Sequence, residues 1–451
     1  MINQTILYLP QTDCTDANLK PYARELGINV NWNPDLNLGN PLAKIFNLVI
    51  RFDIGEEYAE YGVIQANKRI IDLVREHSPK YVIWPTMTYE ILEETFQEVR
   101  KLGAYVIGWF FDDENRFEGY SRWWIPCMDY IFTADKASIS RYQQLGAKAF
   151  HLLVTGEPED FEPTPVDLFY DVSFVGSKYV ADRDILVKRF YDDGVSISTF
   201  GKGWSNGYIS HDEMAQIFCT SKINICFTKS YAGERNQLKG KIFDITMCGG
   251  FLLCEYVDGI EDYFEIGKEI VCFNNYTEAL EKIHYYLIND DEREMIAKAG
   301  KLRSTRDLSQ SKLLENVFSA IEIDRVANNT RAVISTPDFE EMPRDIKKAH
   351  AQYHLRWAKV LKKEGYSRQR WQEELDLAMF YDPENQDTRF FKSLFRAPDF
   401  LVKFILTSRS TYQRLITSAR SCLAKATILK KGKQLGKRLK LWAKDLNDQG
   451  K

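Results

Sequence analysis

The sequence predicts an α/β protein with two doubly wound domains that face each other across a cleft, followed by a C-terminal α-helical extension. Short β-branched or aromatic runs alternate with helically periodic segments in two successive series, which is typical of parallel sheets with helices on both faces. A stretch rich in proline and acidic residues, 155–166, separates the two series. Periodicity is lost after about residue 321, and a long helical region follows Pro343.

Length and composition agree with this division. The chain has 451 residues, and single cores stop growing at about 250–300 residues. We expect an N-terminal α/β domain over residues 1–160, a second α/β domain over 161–325 and the helical extension over 326–451. The 60 Lys and Arg residues nearly balance 64 Asp and Glu residues, so overall charge does not indicate a nucleic-acid partner.

Cysteine usage and hydropathy indicate the compartment. The eight cysteines include no C-x-x-C pair, and several lie inside apolar runs, which predicts buried free thiols rather than disulfides or zinc ligands. No run approaches the ~18–20 apolar residues of a membrane span, and the N-terminus lacks the pattern of a signal peptide. We therefore expect a cytoplasmic protein.

The first series contains six strand-like runs, at 6–9, 48–52, 81–84, 105–111, 130–133 and 151–154. Helical segments are predicted between them at 58–77, 89–102 and 136–145. Ligands of open α/β sheets collect beyond the carboxyl ends of the strands. The densest charge at such a position is Asp112-Asp113-Glu114, directly after Gly-Trp-Phe-Phe. These acids either cap the next helix or contribute to a site.

The second series contains strand-like runs at 171–175, 196–200, 223–227, 251–254 and 269–273, with helices that start near 183, 212, 238, 277 and 309. Two glycine turns follow strands in this half: Gly176-Ser177 and Gly201-Lys202. Glycine lets a backbone approach a ligand closely, and N–H groups at the next helix start suit a phosphate. Such turns also occur as ordinary connections of α/β domains.

A helix–turn–strand unit stands out in the second series. An amphipathic helix opens near Leu238 and stops at Gly249-Gly250, and the apolar run 251–254 follows. Lys241 and Asp244, three residues apart, share one helix face. From spacing alone this pair is either a surface salt bridge or part of a binding site.

This unit resembles the core of the spore-maturation-protein-type (CgeB-like) glycosyltransferases, a branch of the enzymes with two Rossmann-like domains called GT-B. A basic residue, an acidic residue and a Gly-Gly-Phe-Leu-Leu turn follow one another in that order. The resemblance covers roughly residues 100–320, including Phe174-Val175-Gly176-Ser177 and Gly267-Lys268-Glu269-Ile270-Val271. It implies transfer of a sugar from a nucleotide-diphosphate sugar to a hydroxyl of a glycan, lipid-linked or other acceptor.

The resemblance also implies roles for particular residues. Asp244 would accept hydrogen bonds from the ribose hydroxyls of the donor, at a position where related enzymes usually carry Glu, and Lys241 would neutralise the diphosphate. The remaining donor-side candidates are Gly176, Ser177, Gly201, Lys202 and Glu269.

On the acceptor side, an acidic residue after an aromatic strand recurs in the family. Asp113 is therefore the candidate for the catalytic base or acceptor-side group, and Asp112 is the second candidate. No carboxylate cluster with metal-ligand spacing occurs, so we expect no bound metal and no tightly bound cofactor, only the donor substrate. The alternatives are a nucleotide-sugar epimerase of the same fold and a non-catalytic scaffold with a transferase-like body.

The extension carries two further patterns. Residues 354–385 resemble one tetratricopeptide hairpin, which cannot bury its face alone and so must pack on the transferase body or on another subunit. Residues 420–444 contain nine Lys or Arg and no acid, beside an apolar stripe that includes Leu435, Leu439 and Trp442. This segment suits an anionic membrane surface, which would bring the protein to the inner face of the membrane. A solvated tail and nucleic-acid contact are the alternatives; the aromatic interleaving of single-strand binders is missing.

Overall fold

The computed structural model describes residues 2–11, 16–23, 25–26, 34–86, 88–161, 168–180, 182–229, 235–328 and 342–396, together with 402 and 406. Two parallel sheets with surrounding helices are followed by a helical region, so the fold class predicted from the sequence is confirmed. The domain boundaries at 160 and 325 stay predictions, and the basic segment 420–444 lies outside the described residues.

The first sheet contains six parallel strands in the order β2-β1-β3-β4-β5-β6. They are β1 Ile2–Tyr8, β2 Phe46–Arg51, β3 Tyr81–Thr86, β4 Tyr105–Phe110, β5 Tyr130–Thr133 and β6 Ala149–His151. The helices between them are α1 Asn40–Ile45, α2 Ile54–Tyr61, α3 Val63–His77, α4 Glu93–Lys101, α5 Asp113–Arg116, α6 Arg122–Trp124 and α7 Ser138–Gln144.

The second sheet contains five parallel strands in the order β11-β10-β9-β7-β8. They are β7 Tyr170–Val175, β8 Ser198–Phe200, β9 Ser221–Cys226, β10 Leu252–Glu255 and β11 Val271–Phe273. The helices of this half are α8 Arg183–Asp192, α9 His211–Cys219, α10 Gly240–Cys248, α11 Tyr276–Ile288, α12 Asp290–Asp307 and α13 Gln310–Asn328. The extension contributes α14 Arg344–Lys363, α15 Arg368–Tyr381 and α16 Gln386–Leu394.

The strand order of each sheet reverses at one point. In the second sheet the reversal lies between β7 and β9, and in the first between β1 and β3. Loops leave in opposite directions at such a switch point and open a crevice beyond the carboxyl ends of the two strands. The second-sheet crevice therefore lies next to Val175 and the residues after Cys226.

Two local predictions can be compared directly with the elements. The helix–turn–strand unit forms as predicted: α10 ends at Gly249, whose φ of 83° is left-handed, and the Gly250 N–H donates to the Ile245 carbonyl at 2.9 Å. The single helix predicted over 58–77 is instead two helices. Gly62, with φ of 85°, separates them, because a left-handed residue cannot continue a right-handed helix.

The helical extension packs on the first domain. One apolar core joins residues under the first sheet, such as Tyr58 and Trp84, with Tyr353 and Trp357 of α14. The Arg370 guanidinium also donates to the Tyr58 carbonyl at 3.2 Å. Of the two arrangements predicted for the hairpin, the structure shows packing on the α/β part of the same chain. Helix α13 covers the other face of the first sheet through Leu314, Phe318 and Ile321.

The six cysteines that the structure describes are unpaired thiols, and five of them are buried, in agreement with the prediction. Within the described residues, every helix is too short or too polar to cross a membrane.

Candidate active site

Two cations are fixed at the switch point of the second sheet. The Arg183 guanidinium, at the start of α8, donates to the carbonyl of Ser177 at 3.2 Å and to that of Phe227 at 3.4 Å. The Lys241 ammonium donates to the Val175 carbonyl at 2.8 Å. Both side chains are therefore held by the chain ends of β7 and β9, where open α/β sheets bind their ligands.

A third cation, Lys239, lies beside them. Burial lowers the pKa of Lys239 and the pKa of Lys241, and the Arg183 guanidinium lowers both further. Among the described residues, none of these three cations forms an ion pair with a carboxylate. Partly buried positive charges that repel one another and form no ion pair with a described carboxylate favour an anionic ligand. We call Arg183, Lys239 and Lys241 the cation cluster.

The two glycine turns predicted from the sequence lie together at the same edge. The Gly176 N–H donates to the Phe200 carbonyl at 2.8 Å, and the Lys178 N–H donates to the Lys202 carbonyl at 2.9 Å. Gly201 has φ of 114°, and a Cβ atom on it would stand 2.6 Å from the Gly176 carbonyl oxygen. Glycine is therefore required by the contact between the turns as well as by the backbone angle.

Ser177 and Lys202 complete these turns. The Ser177 hydroxyl accepts a hydrogen bond from the Tyr179 N–H at 3.2 Å, and Lys202 is exposed. Since Ser177 also supplies the carbonyl that anchors Arg183, the first turn borders the cation cluster directly.

Helix α10 presents Asp244 one turn after Lys241. The Asp244 side chain is half-buried and makes no hydrogen bond to any residue that the structure describes. Burial raises its pKa to about 7, and the positive charge of Lys241 opposes that rise. The structure shows no ion pair between the two, so the surface-salt-bridge alternative does not hold. A carboxylate that is partly desolvated without a protein donor is suited to accept hydrogen bonds from a ligand.

The start of α10 is close to the interdomain connection. A Cβ atom on Gly240 would stand 2.9 Å from the Val154 carbonyl oxygen, three residues after β6. Only a residue without a side chain lets α10 approach this segment so closely. The contact places Lys239 and Lys241, on either side of Gly240, at the boundary between the domains.

The two predicted acids after β4 have different environments. Asp112 is exposed, and its backbone has a left-handed conformation with φ of 56°. Asp113 is fully buried; its Oδ2 accepts hydrogen bonds from the Thr133 hydroxyl at 2.6 Å and the Tyr142 hydroxyl at 2.8 Å. Burial raises the pKa of Asp113, while hydrogen bonds from neighbouring hydroxyls oppose that shift. Of the pair, Asp112 is the carboxylate open to a substrate.

Acids of the first domain face cations of the second. Arg235 Nη2 lies 2.6 Å from Asp135 Oδ2, and Arg235 Nε lies 3.7 Å from Glu114 Oε1. The negative charges of Asp112 and Glu114 also raise the pKa of Lys239 against the effect of burial. The carboxyl ends of the two sheets therefore face each other across an interdomain cleft.

Glu269 and His151 lie away from the cation cluster. Glu269 precedes β11, at the amino end of that strand, and its Oε2 accepts from the Glu265 N–H at 2.8 Å. The structure thus does not bring Glu269 to the cation cluster. His151 Nδ1 lies 3.0 Å from the Tyr263 hydroxyl and Nε2 lies 3.3 Å from the Ala134 carbonyl, as in a satisfied structural histidine. Across the described ranges, no three His, Cys, Asp or Glu side chains form a group that could hold a metal.

Sequence reasoning missed Arg183, Lys239 and Arg235. Arg183 opens the helix after the Gly176-Ser177 turn, and Lys239 stands two residues before Lys241, so both adjoin motifs that had been noticed. A search for cations within a few residues of each strand-end glycine would have found these two. Arg235 carries no such local signal, because its partner Asp135 is 100 residues away.

Comparison with known families gives one match, which lies in the second half of the chain. Residues 183–318 match the family model described as "Glycosyl transferase-like". This segment contains the whole cation cluster and Asp244. A comparison with curated proteins gave no match.

Several solved structures are similar to the chain. HepE of Anabaena in complex with UDP is 9% identical, with a TM-score of 0.49 over 71% of this chain and 100% of that one. Sucrose-phosphate synthase from Thermosynechococcus elongatus is 8% identical, with a TM-score of 0.46 over 72% and 100% of the two chains. A glycosyltransferase from Rickettsia africae is 11% identical, with a TM-score of 0.48 over 73% and 100%. Similarity at 8–11% identity does not indicate the substrate of this chain.

Proposed function

We propose that the protein is a glycosyltransferase that uses a nucleotide-diphosphate sugar as donor. The observation that carries this proposal is the convergence of Arg183, Lys239 and Lys241 at the switch point of the second sheet, beside the Asp244 carboxylate that no described residue satisfies. The match of residues 183–318 to a glycosyl transferase-like family supports the same conclusion.

The cluster suits the chemistry of sugar transfer. As the bond between the sugar and the diphosphate breaks, negative charge grows on the departing phosphate oxygen. Fixed cations and N–H dipoles in a dry cleft stabilise that charge and need little reorganisation when it forms. Lys241 and Arg183 would supply the charge, and the turns at Gly176 and Gly201 would supply N–H groups. Asp244 would hold the ribose hydroxyls, which orients the donor.

The acceptor would enter from the first domain. In the proposed arrangement Asp112 takes the proton from the acceptor hydroxyl, because it is exposed and follows the carboxyl end of β4. Asp113 would act as a positioning residue, since its hydrogen bonds to Thr133 and Tyr142 fix the turn that carries Asp112. A glycan or lipid-linked acceptor, the CgeB-like type and a role in polysaccharide biosynthesis belong to this proposal.

A ligand panel tests the proposal. Uridine, guanosine and thymidine diphosphates and their sugars are added to the full chain, and thermal unfolding is recorded. A ligand at 100 times its dissociation constant adds about 2.7 kcal/mol to the free energy of unfolding. We expect one nucleotide class to raise the midpoint and Asp244→Ala to reduce the shift to less than half. Absence of a shift with every nucleotide would favour the scaffold alternative.

Measurement of the reaction products then distinguishes a glycosyltransferase from an epimerase. The stabilising sugar nucleotide is incubated with the protein, first alone and then with candidate hydroxyl acceptors. A transferase releases nucleoside diphosphate faster when its acceptor is present. Conversion of the donor to an isomeric sugar nucleotide without any acceptor would identify an epimerase instead.

A further inference from the structure

The helical extension contains a cavity of about 620 Å³, separate from the cleft between the α/β domains. It is lined by Lys362, Lys363, Gly365, Tyr366, Arg368, Trp371, Gln372, Lys392, Phe395 and Arg396. Five of these ten residues are Lys or Arg, and none is Asp or Glu. Its volume lies within the range of about 300–1,000 Å³ typical of small-ligand sites.

The cations come from three helices that converge. Lys362 and Lys363 belong to the last turn of α14, and Arg368 opens α15. Lys392 lies in the last turn of α16, and Arg396 follows that helix by two residues. Trp371 and Phe395 are buried and form an edge-to-face pair, with ring centroids 5.2 Å apart, beneath them. The apolar base is therefore rigid, while the charges stand on its rim.

Some of these charged side chains contact other residues of the protein, and others do not contact a described partner. Lys363 Nζ donates to the Tyr22 hydroxyl at 2.7 Å and lies 4.0 Å from Glu364 Oε1. Lys362 Nζ lies 4.5 Å from the centre of the Trp371 ring. Arg368 and Lys392 form no side-chain hydrogen bond or ion pair with a described residue. Like charges gathered in a concave site raise the local positive potential, which an anion relieves.

The density of charge indicates the class of anion. A phosphate group carries about −1.5 to −2 charges at neutral pH, so two or three phosphates would balance the four cations that remain beside the Lys363–Glu364 ion pair. Arg binds phosphate through a planar pair of donors, and Lys binds it as a point charge.

The cavity also adjoins the first α/β domain. The Tyr366 hydroxyl donates to the Asp16 carboxylate, and the Tyr22 hydroxyl donates to Glu364 Oε1 at 2.7 Å. Asp16 and Tyr22 belong to the segment after β1, at the carboxyl edge of the first sheet. A ligand in the cavity would thus be held on the side of the domain proposed to receive the acceptor.

We propose that this cavity binds the phosphate groups of a ligand that carries two or three of them in series, independently of the donor site. Inorganic tripolyphosphate is the soluble probe. Vesicles of phosphatidylglycerol and phosphatidylcholine present single phosphodiesters on lipid headgroups, which are the other source of phosphate. We expect tripolyphosphate to bind the full chain with an affinity that falls as salt rises, because the attraction is between exposed charges.

The test uses two double variants with the same change of charge. Arg368→Gln with Lys392→Gln removes two cavity cations. Arg344→Gln with Lys348→Gln removes two exposed cations from the first turns of α14. The control positions lie roughly 20 Å or more along the helix from Lys362, at 1.5 Å per residue. Titration calorimetry should show at least tenfold weaker tripolyphosphate binding for the cavity variant and less than twofold change for the control.

The double variant Arg368→Lys with Lys392→Arg keeps both positive charges and should therefore keep tripolyphosphate binding. Retained binding would show that the glutamine variant loses affinity through the lost charge and not through misfolding. Vesicle binding is compared in chains that end at residue 419, because segment 420–444 is itself expected to bind anionic vesicles. A loss confined to vesicles assigns the site to single lipid phosphates and overturns the assignment of phosphates in series, whereas a loss with tripolyphosphate assigns it to free or glycan-borne phosphate. Equal binding by the cavity and control variants to both probes overturns the proposal. Lys241→Ala should leave the cavity component unchanged, so failure of the donor site and failure of this site remain distinguishable.

Discussion

The Gly176 carbonyl oxygen lies 2.6 Å from the point where a Cβ atom on Gly201 would stand, so the two glycine turns of the second domain are in direct backbone contact. This contact closes the edge of the crevice next to the cation cluster. The position of Gly176, which follows the Lys241 acceptor Val175, therefore depends on the absence of a side chain at Gly201.

Gly201→Ala is expected to destabilise the protein and to weaken nucleotide binding. A left-handed backbone angle costs a residue with a Cβ atom about 1–2 kcal/mol, and overpacking typically adds about 1–3 kcal/mol. Gly194→Ala is the matched control, because Gly194 has φ of 87° but an added Cβ would meet no atom within 4 Å. Urea unfolding and nucleotide titration of both variants measure the difference; equal losses would show that the Gly176 contact has no effect.

Lys241→Ala and Asp244→Ala should each weaken binding of the nucleotide identified by the ligand panel. The expected loss is about 1.5–3 kcal/mol, the range for hydrogen bonds to charged groups. Lys298→Ala serves as control, because Lys298 lies on α12 with a side chain that is 79% exposed. Titration calorimetry gives the three affinities. Unchanged affinity in both site variants would remove the assignment of the donor site.

Asp244 should also give stability a characteristic pH dependence. Burial raises its folded-state pKa from the ordinary value of 3.8 to about 7. Between these values the folded chain holds a proton that the unfolded chain has released, so the contribution is fully present below about pH 4 and is lost as pH rises through about 7. The free energy of unfolding of the wild type, relative to Asp244→Asn, should therefore fall between pH 5 and pH 8.

Urea unfolding of both proteins at the two pH values checks this difference. Other titrating groups are common to the two proteins and cancel. A difference that stays constant, or rises with pH, would contradict the raised pKa.

Much of the fold could be predicted because its signals are local. Each strand is an apolar run bounded by polar or glycine residues, and Gly249-Gly250 marks the end of α10 in the sequence itself. The helix break at Gly62 was missed because a single glycine is tolerated inside many helices, and only the backbone angle of 85° distinguishes this one.

The residues of the candidate site were harder to predict from the sequence than the fold was. Asp112 and Asp113 are adjacent acids after the same strand, and the sequence does not say which carboxylate turns inward. That choice depends on the Thr133 and Tyr142 hydroxyls, which come from elements 20 and 29 residues further along the chain. The cation cluster likewise exists only after β7 and β9 have paired.

Asp112→Asn is expected to lower turnover by ~10²–10⁴, the usual effect of removing a catalytic base. Asn tolerates the left-handed angle found at Asp112, so stability should hardly change. Asp113→Asn should instead lower the free energy of unfolding by about 1–3 kcal/mol, because it disturbs buried hydrogen bonds. Steady-state rates and urea unfolding of both variants are compared. A larger rate loss in Asp113→Asn with native stability would return the base role to Asp113.

The basic segment 420–444 gives the last prediction. Its stripe of Leu435, Leu439 and Trp442 beside nine cations should bind an anionic membrane, where each Lys or Arg near the surface contributes about 1 kcal/mol. Gly432 and Gly436 cost a helix about 1 kcal/mol each relative to alanine, so we expect the helix to form on binding.

Co-sedimentation with phosphatidylglycerol vesicles, at low and high salt, compares the full chain with a chain that ends at residue 419. Only the full chain should pellet, and salt should release it because the attraction is partly between exposed charges. A nucleic-acid role would instead give salt-sensitive binding to single strands without pelleting. If both chains pellet equally, or neither does, the segment is a solvated or partner-binding end, and the lipid-linked acceptor loses its support from this part of the chain.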